Sequence, residues 1–161
     1  MRTMKTLKTV WVVVTVAALC LPVLAEVKVV LTANKIVVVN GKEQMAPSDK
    51  AKPGDVIEYV AEYRNTGKAS VTDVVATLPV PAGMEFLPDT AQPQQMMAST
   101  DEHSFAPVPL KRQVSGPDGR TVEQLVPYSE YRSLRWTLGK IPGGDSKSVK
   151  ARMQVKLSEA H

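Results

Sequence analysis

A pair of methionines and a nearby histidine form the one group in this sequence that suggests metal chemistry. Met96 and Met97 are adjacent, and His103 follows in a polar segment. Thioether and imidazole groups are ligands that suit Cu(I). The sequence therefore raises a copper site at Met96, Met97 and His103 as a hypothesis. The simpler alternative is that the methionines fill gaps in an apolar core and that His103 is a solvated loop residue.

Hydrolytic chemistry needs a base or a pair of carboxylates, and the chain offers few of either. A serine or cysteine nucleophile needs an adjacent base, yet the only histidines are His103 and the terminal His161. A hydrolase would otherwise need two carboxylates to converge in a cleft, and the candidates are Asp101, Glu102 and Glu123. We expect no residue of this chain to be catalytic.

Three aspartates at the ends of predicted strands raise the question of a calcium site. Asp49, Asp55 and Asp73 carry the oxygen ligands that calcium prefers. Aspartates in turns, however, usually bond to the local backbone instead. The phosphate-loop, dinucleotide-binding and H-E-x-x-H motifs do not occur in the sequence. We therefore expect a protein that is not an enzyme and that holds no cofactor.

The first 25 residues differ in kind from the rest of the chain. Arg2, Lys5 and Lys8 form a basic region, and an apolar run extends from Val10 to Leu21. Val23 and Leu24, with small or medium-sized side chains, then precede Ala25. This pattern predicts a secretory signal peptide over residues 1–25 that is cleaved after Ala25. The apolar run is shorter than the roughly 20 residues of a membrane span, so we expect no stable span after cleavage.

The only cysteine, Cys20, lies inside the predicted signal peptide. An alternative is a lipoprotein that is lipidated at Cys20, although Leu19 is bulkier than the residue usual before such a cysteine. Cleavage after Ala25 leaves no disulfide, so the domain depends on core packing. Three of the 20 basic residues also lie in the signal peptide, which leaves 17 against 16 acidic residues and a net charge of +1. This balance gives no electrostatic case for nucleic-acid binding.

The elements that must position these residues are strands, and the clearest lie between Lys52 and Gly83. Pro53-Gly54 is typical of a type II turn, and Asn65-Thr66-Gly67 is typical of a short connection between antiparallel strands. Apolar and polar residues alternate on both sides of that connection, as expected for strands with one buried face. Pro79 ends the second strand because proline lacks the N–H that a central strand donates.

The rest of the domain continues this strand pattern. Glu26 to Asn40 is rich in valine and predicts one long strand or two short ones. Pro88 to Ser104 lacks periodicity and predicts an exposed loop, whereas Phe105 to Val114 predicts an edge strand that is spaced by prolines. A hairpin and two further alternating strands follow. With no helical period after residue 25, the sequence predicts an all-β fold, an immunoglobulin-like antiparallel β-sandwich of about seven to nine strands over residues 26–161.

Several motifs of this chain are similar to those of the conserved-repeat domain of bacterial and archaeal surface proteins, which is called domain of unknown function eleven. The similarity covers roughly residues 35–157 and follows the order of turns and strands in that family. The residues that carry it are Pro53-Gly54-Asp55, Tyr59, Asn65-Thr66-Gly67, Val71 to Val75, Leu78-Pro79, Gly83, Phe86, Leu134-Arg135-Trp136, Leu138-Gly139 and Ile141.

The resemblance implies an exported, immunoglobulin-like domain without an established catalytic site. We therefore expect a non-catalytic structural or interaction module, monomeric or weakly self-associating, in the periplasm or at the cell surface. Its expected partners are proteins of the cell envelope, contacted through strand edges and the Pro88–Ser104 segment. The alternative is a small periplasmic copper-binding protein that uses Met96, Met97 and His103.

Overall fold

The structure is a computed structural model that describes residues 26–157. The predicted signal peptide, Cys20 and His161 lie outside the described residues. Within residues 26–157 the chain forms eleven strands and one turn of 3-10 helix, and no helix there is long and apolar enough to cross a lipid bilayer. The strands are β1 (Val27–Val39), β2 (Lys42–Pro47), β3 (Val56–Asn65), β4 (Val71–Pro79), β5 (Met84–Phe86), β6 (Met97–Ser99), β7 (Ala106–Pro107), β8 (Lys111–Ser115), β9 (Thr121–Leu125), β10 (Ser133–Ile141) and β11 (Ser146–Val155), with the 3-10 turn at Tyr128–Glu130.

Nine of these strands form two sheets. Sheet A has the order β2-β1-β3-β11-β5, and sheet B has the order β4-β10-β6-β7. Strands β8 and β9 pair only with each other, as a separate hairpin. Every pairing is antiparallel. The predicted all-β antiparallel sandwich is therefore confirmed, with the hairpin as an addition.

The core lies between the two sheets because each central strand contributes alternate apolar residues to one face. The largest fully buried side chains include Trp136, Tyr131 and Phe86. Tyr131 stacks on Phe86 with ring centroids 6.2 Å apart. Its hydroxyl accepts a hydrogen bond of 2.8 Å from the backbone N–H of Leu110. One tyrosine thus completes the core and fixes the base of the β8–β9 hairpin.

The prediction of an exposed loop over Pro88–Ser104 holds for most of this segment but is wrong at the strand β6 and at the buried Ala91 and Met96. Gln92 exchanges two backbone hydrogen bonds with Lys150, of 2.8 and 2.9 Å. The indole N–H of Trp136 donates to the carbonyl of Pro93 at 2.7 Å. Further along, β6 pairs with β10. These contacts reach distant parts of the chain, and for that reason the lack of local periodicity did not reveal them.

Candidate functional site

The residues of the copper hypothesis occupy different surroundings. Met96 is 9% exposed and lines a cavity of about 190 Å³ together with Phe86 and Tyr128. Met97, at the start of β6, is 38% exposed, and His103 is exposed beyond the end of β6. Consecutive residues of an extended chain point to opposite sides. The two thioether groups therefore have different environments, and the copper site stays a prediction.

Asp101 closes the turn that contains His103. Its Oδ1 accepts hydrogen bonds from the Ser99 hydroxyl at 2.7 Å and from the backbone N–H groups of His103 at 2.9 Å and Ser104 at 2.7 Å. The N–H of Ser104, followed by the other donors, holds the pKa of Asp101 well below its ordinary value of 3.8. A short-range bonding pattern of this kind is common for aspartate in turns. The contacts give Asp101 a structural role.

Replacing Asp101 with asparagine should remove the pH dependence of this turn. Because the pKa in the folded state lies below the unfolded value of 3.8, the carboxylate stabilises the turn above that pH and loses this contribution as the pH falls further. We expect the amide resonances of His103 and Ser104 to move in the wild type, but not in Asp101→Asn, during an NMR titration that continues below pH 3.8. Equal movement in both proteins would contradict the assignment.

Two of the other acidic candidates, Glu123 and Asp55, are also engaged in contacts with nearby groups. Glu123 pairs with Lys111 at 2.7 Å across the β8–β9 hairpin. Asp55 accepts the backbone N–H of Lys52 at 2.7 Å and pairs with the ammonium of Lys35 at 2.7 Å. No group of three or more histidine, cysteine, aspartate or glutamate side chains that could hold a metal ion occurs in the described part of the chain. Neither the hydrolase nor the calcium hypothesis gains support from these contacts.

The first half of β1 carries three consecutive exposed apolar side chains. Val29, Val30 and Leu31 are 51%, 50% and 53% exposed. Apolar residues that are exposed singly need no explanation, but a contiguous exposed group often marks an interaction site. We refer to the segment Val27–Ala33 as the open edge.

The backbone of the open edge directs hydrogen-bonding groups into solvent. Opposite Val27 on β3 lies Asn65, whose N–H and C=O both bond to the turn before β11 at 2.9 Å. Val27 and Asn65 are therefore not a hydrogen-bonded pair. Because the direction alternates along an antiparallel pair, the N–H and C=O groups of Val29 and Leu31 also point away from β3.

The open edge ends where β2 begins to cover β1. Strand β2 pairs with β1 only from Asn34 to Val39. Just before this point, the carbonyl of Ala33 accepts a hydrogen bond of 3.0 Å from the Ser48 hydroxyl. No strand among residues 26–157 pairs with the outer side of the open edge. It is thus a bounded stretch of unpaired strand.

The outer strands of sheets A and B other than β1 carry features that hinder the addition of a strand. On β4, the N–H of Thr77 donates to the Tyr63 hydroxyl at 3.1 Å, and Pro79 lacks an N–H. Strands β5 and β7 are only three and two residues long, and β7 contains Pro107. Strand β2 carries charged side chains and ends at Pro47. Short length, proline and charge are the usual protections of sheet edges, and the open edge has few of them.

The side chains of the open edge leave an apolar row uncovered. Val29 and Leu31 lie opposite Tyr63 and Ala61 of β3, so they share the face of sheet A that is turned towards sheet B. Tyr63 and Ala61 are buried, whereas Val29 and Leu31 remain half exposed. On the other face, Lys28 is the only charged residue of the segment. An added strand would satisfy the backbone groups and cover the apolar row at the same time.

Sequence reasoning named strand edges in general as contact surfaces. It singled out Phe105–Leu110 as an extended edge that could accept a partner strand or be protected by its prolines, and this segment contributes only the two-residue β7. A signal for β1 was present, because Val29, Val30 and Leu31 are consecutive apolar residues instead of an alternating set. Such a run usually indicates a strand that is buried on both faces, whereas here part of it is exposed.

Comparisons with known proteins return no match: no family model, no curated protein and no solved structure is similar to this chain at a significant level. The resemblance to the conserved-repeat domain of surface proteins therefore stays a prediction, and the functional argument depends on the geometry of the open edge.

Proposed function

We propose that this chain is an exported, non-catalytic β-sandwich that binds protein partners of the cell envelope by accepting an extended strand at the open edge. The observation that carries the proposal is the coincidence of unpaired backbone with the half-exposed Val29, Val30 and Leu31. In recognition by strand addition, main-chain hydrogen bonds provide affinity, and alternate side chains provide specificity. The open edge offers both kinds of contact.

The proposed location rests on the sequence. Residues 1–25 have the pattern of a cleaved signal peptide, and the resemblance to surface-protein domains points to the periplasm or the cell surface. The copper-binding alternative depends on Met96, Met97 and His103, and the structure adds no observation in its favour.

The expected affinity is modest. A partner strand that forms about four backbone hydrogen bonds gains roughly 1 kcal/mol from each, and it covers the apolar side chains of the edge in addition. Association costs several kcal/mol of lost translational and rotational freedom. Binding of this kind is reversible and sensitive to single changes along the strand.

Photo-crosslinking in producing cells tests the proposal. A photoreactive phenylalanine derivative in place of Leu31 should yield adducts, whereas the same group in place of Val75, on the protected edge β4, should yield far fewer. Val75 is a matched position because it is also half exposed, at 47%. Adducts should disappear in a Val29→Pro background, since proline removes an outward N–H and obstructs the edge without loss of a bond to β3.

A proline at position 75 provides the control for unspecific effects of proline. The N–H of Val75 points away from β10, as does that of Thr77 two residues later, so Val75→Pro should leave the Leu31 adducts unchanged. Equal labelling at positions 31 and 75, or adducts that persist in Val29→Pro, would overturn strand addition at the open edge.

A further inference from the structure

We infer that the strand which occupies the open edge is the open edge of a second copy of this chain. The inference rests on the proposed function, since it names the partner of the same edge. A two-fold axis that passes through Val30 sets the two edges antiparallel. Sheet A of one copy would then continue directly into sheet A of the other.

The length of the open edge fits this arrangement. On each copy the stretch without a paired strand is Val27–Ala33, the carbonyl of Ala33 accepts the Ser48 hydroxyl, and β2 takes over at Asn34. Since Val30 is the middle residue of the stretch, an axis at Val30 makes the second strand span the whole stretch and end where β2 begins. The β1 strand of each copy thus lies beside the part of the other copy's β1 that the short β2 does not cover.

The backbone directions also agree with this register. Val27 lies opposite Ala33 of the second copy, and Val29 lies opposite Leu31, with each pair formed twice by symmetry. All four residues direct their N–H and C=O groups outward from β3, and of these groups the Ala33 carbonyl already accepts the Ser48 hydroxyl. Opposed residues that both face the junction form hydrogen-bonded pairs in antiparallel sheets. The register therefore rests on the Val29–Leu31 pair, which is formed twice and gives four backbone bonds, and the N–H of Ala33 can add a bond to the carbonyl of Val27.

The side chains favour the same register over its neighbours. With the axis at Val30, Lys28 lies opposite Thr32, and the two Val30 side chains meet. An axis at Lys28 would oppose two ammonium groups, which destabilises a strand pair. An axis at Val29 would place Lys28 opposite the apolar Val30 instead of the polar Thr32. Residues 26–161 carry 17 basic and 16 acidic groups, so net charge does not oppose association.

A cysteine at the axis tests the register directly. At a non-hydrogen-bonded pair the Cα atoms are about 4.5 Å apart, which lies within the range that a disulfide can bridge. In a Cys20→Ser background, Val30→Cys should form a covalent dimer under mild oxidation. Thr32→Cys, on the same face but opposite Lys28, should remain largely monomeric. This comparison does not depend on any variant that weakens the fold.

Analytical ultracentrifugation of the exported protein measures the association itself. Mass spectrometry first confirms where the N-terminus of that protein lies. We expect a weak, concentration-dependent dimer with a Kd of about micromolar order. Val29→Pro should raise this Kd at least about tenfold, and Val75→Pro should leave it unchanged. Circular dichroism and thermal melts establish that both variants are folded.

The outcomes separate this inference from the proposed function. Three results would overturn the second copy as partner. They are a monomer at all concentrations, a dimer whose Kd is unchanged in Val29→Pro, and equal disulfide linkage through Val30→Cys and Thr32→Cys. If the protein is monomeric but the Leu31 adducts contain a different protein and disappear in Val29→Pro, strand addition stands without the self-pairing. If no adducts form either, both are wrong.

Discussion

Replacing Asn65 with alanine should lower the free energy of unfolding by about 3 kcal/mol, because buried polar groups lose their partners. Asn65 is fully buried. Its side-chain amide donates to the carbonyls of Ala69 at 2.7 Å and Ile141 at 3.0 Å, and its Oδ1 accepts the N–H of Gly67 at 3.0 Å. One side chain thus joins the turn after β3 to the turn after β10, and alanine replaces none of these bonds.

Two further substitutions test this explanation by chemical denaturation. Asn65→Asp keeps an acceptor for Gly67 but turns a carboxylate towards two carbonyls, so its loss should be at least as large as that of Asn65→Ala. Asn34→Ala, on the half-buried part of β1, should change stability by less than about 0.5 kcal/mol. If Asn65→Ala also lowers the free energy of unfolding by only about 0.5 kcal/mol, neighbouring groups or water must take over the hydrogen bonds of the Asn65 amide.

The Asn65-Thr66-Gly67 turn shows which features of the fold local sequence predicts and which it does not. Residue types predict the turn because asparagine and glycine suit its backbone. They do not predict the bond from Asn65 to Ile141, which joins residues far apart in sequence. The alternation of β3, β10 and β11 predicts the buried faces for the same local reason.

Local sequence patterns could not predict the open edge, for a different reason. A valine-rich run predicts that β1 is a strand but says nothing about the length of its neighbours. The edge is open because β2 starts to cover β1 only at Asn34, and because sheet B does not cover Val29 and Leu31. Both facts depend on tertiary arrangement. The contacts of Gln92, Pro93 and β6 within the Pro88–Ser104 segment were missed in the same way, since they reach β10 and β11 and are non-local.

Replacing Arg152 with methionine should lower the free energy of unfolding by about 2 kcal/mol, because it leaves a buried carboxylate with a weaker partner. Glu58 is 3% exposed. Its Oε2 accepts the Nε–H of Arg152 at 3.2 Å and lies 3.6 Å from the ammonium of Lys150. The remaining Lys150 and the partial exposure of Arg152 keep the loss below that of a fully buried pair. The guanidinium also binds Glu43 on β2 through two bonds of 2.9 and 2.7 Å.

The dependence of this loss on pH follows from Glu43. Its hydrogen bonds to Arg152 hold its pKa below the ordinary value of 4.5. The stabilisation is therefore complete above pH 4.5 and is lost as the pH falls through the lower, folded-state pKa. The stability difference between the wild type and Arg152→Met should accordingly shrink as denaturation is repeated at successively lower pH. A difference that is constant with pH would show that the Glu43 pair contributes nothing.

The double variant Glu58→Met/Arg152→Met distinguishes charge from packing. If the loss in Arg152→Met comes from an unpaired buried carboxylate, removal of that carboxylate should restore stability to within about 1 kcal/mol of the wild type. If the double variant is as unstable as the single one, the aliphatic part of Arg152 is what matters.

Because the Arg152–Glu43 pair joins β11 to β2, and β2 bounds the open edge, a loosened β2 should also lengthen that edge. Amide exchange along Asn34–Val39 should then be faster in Arg152→Met than in the wild type.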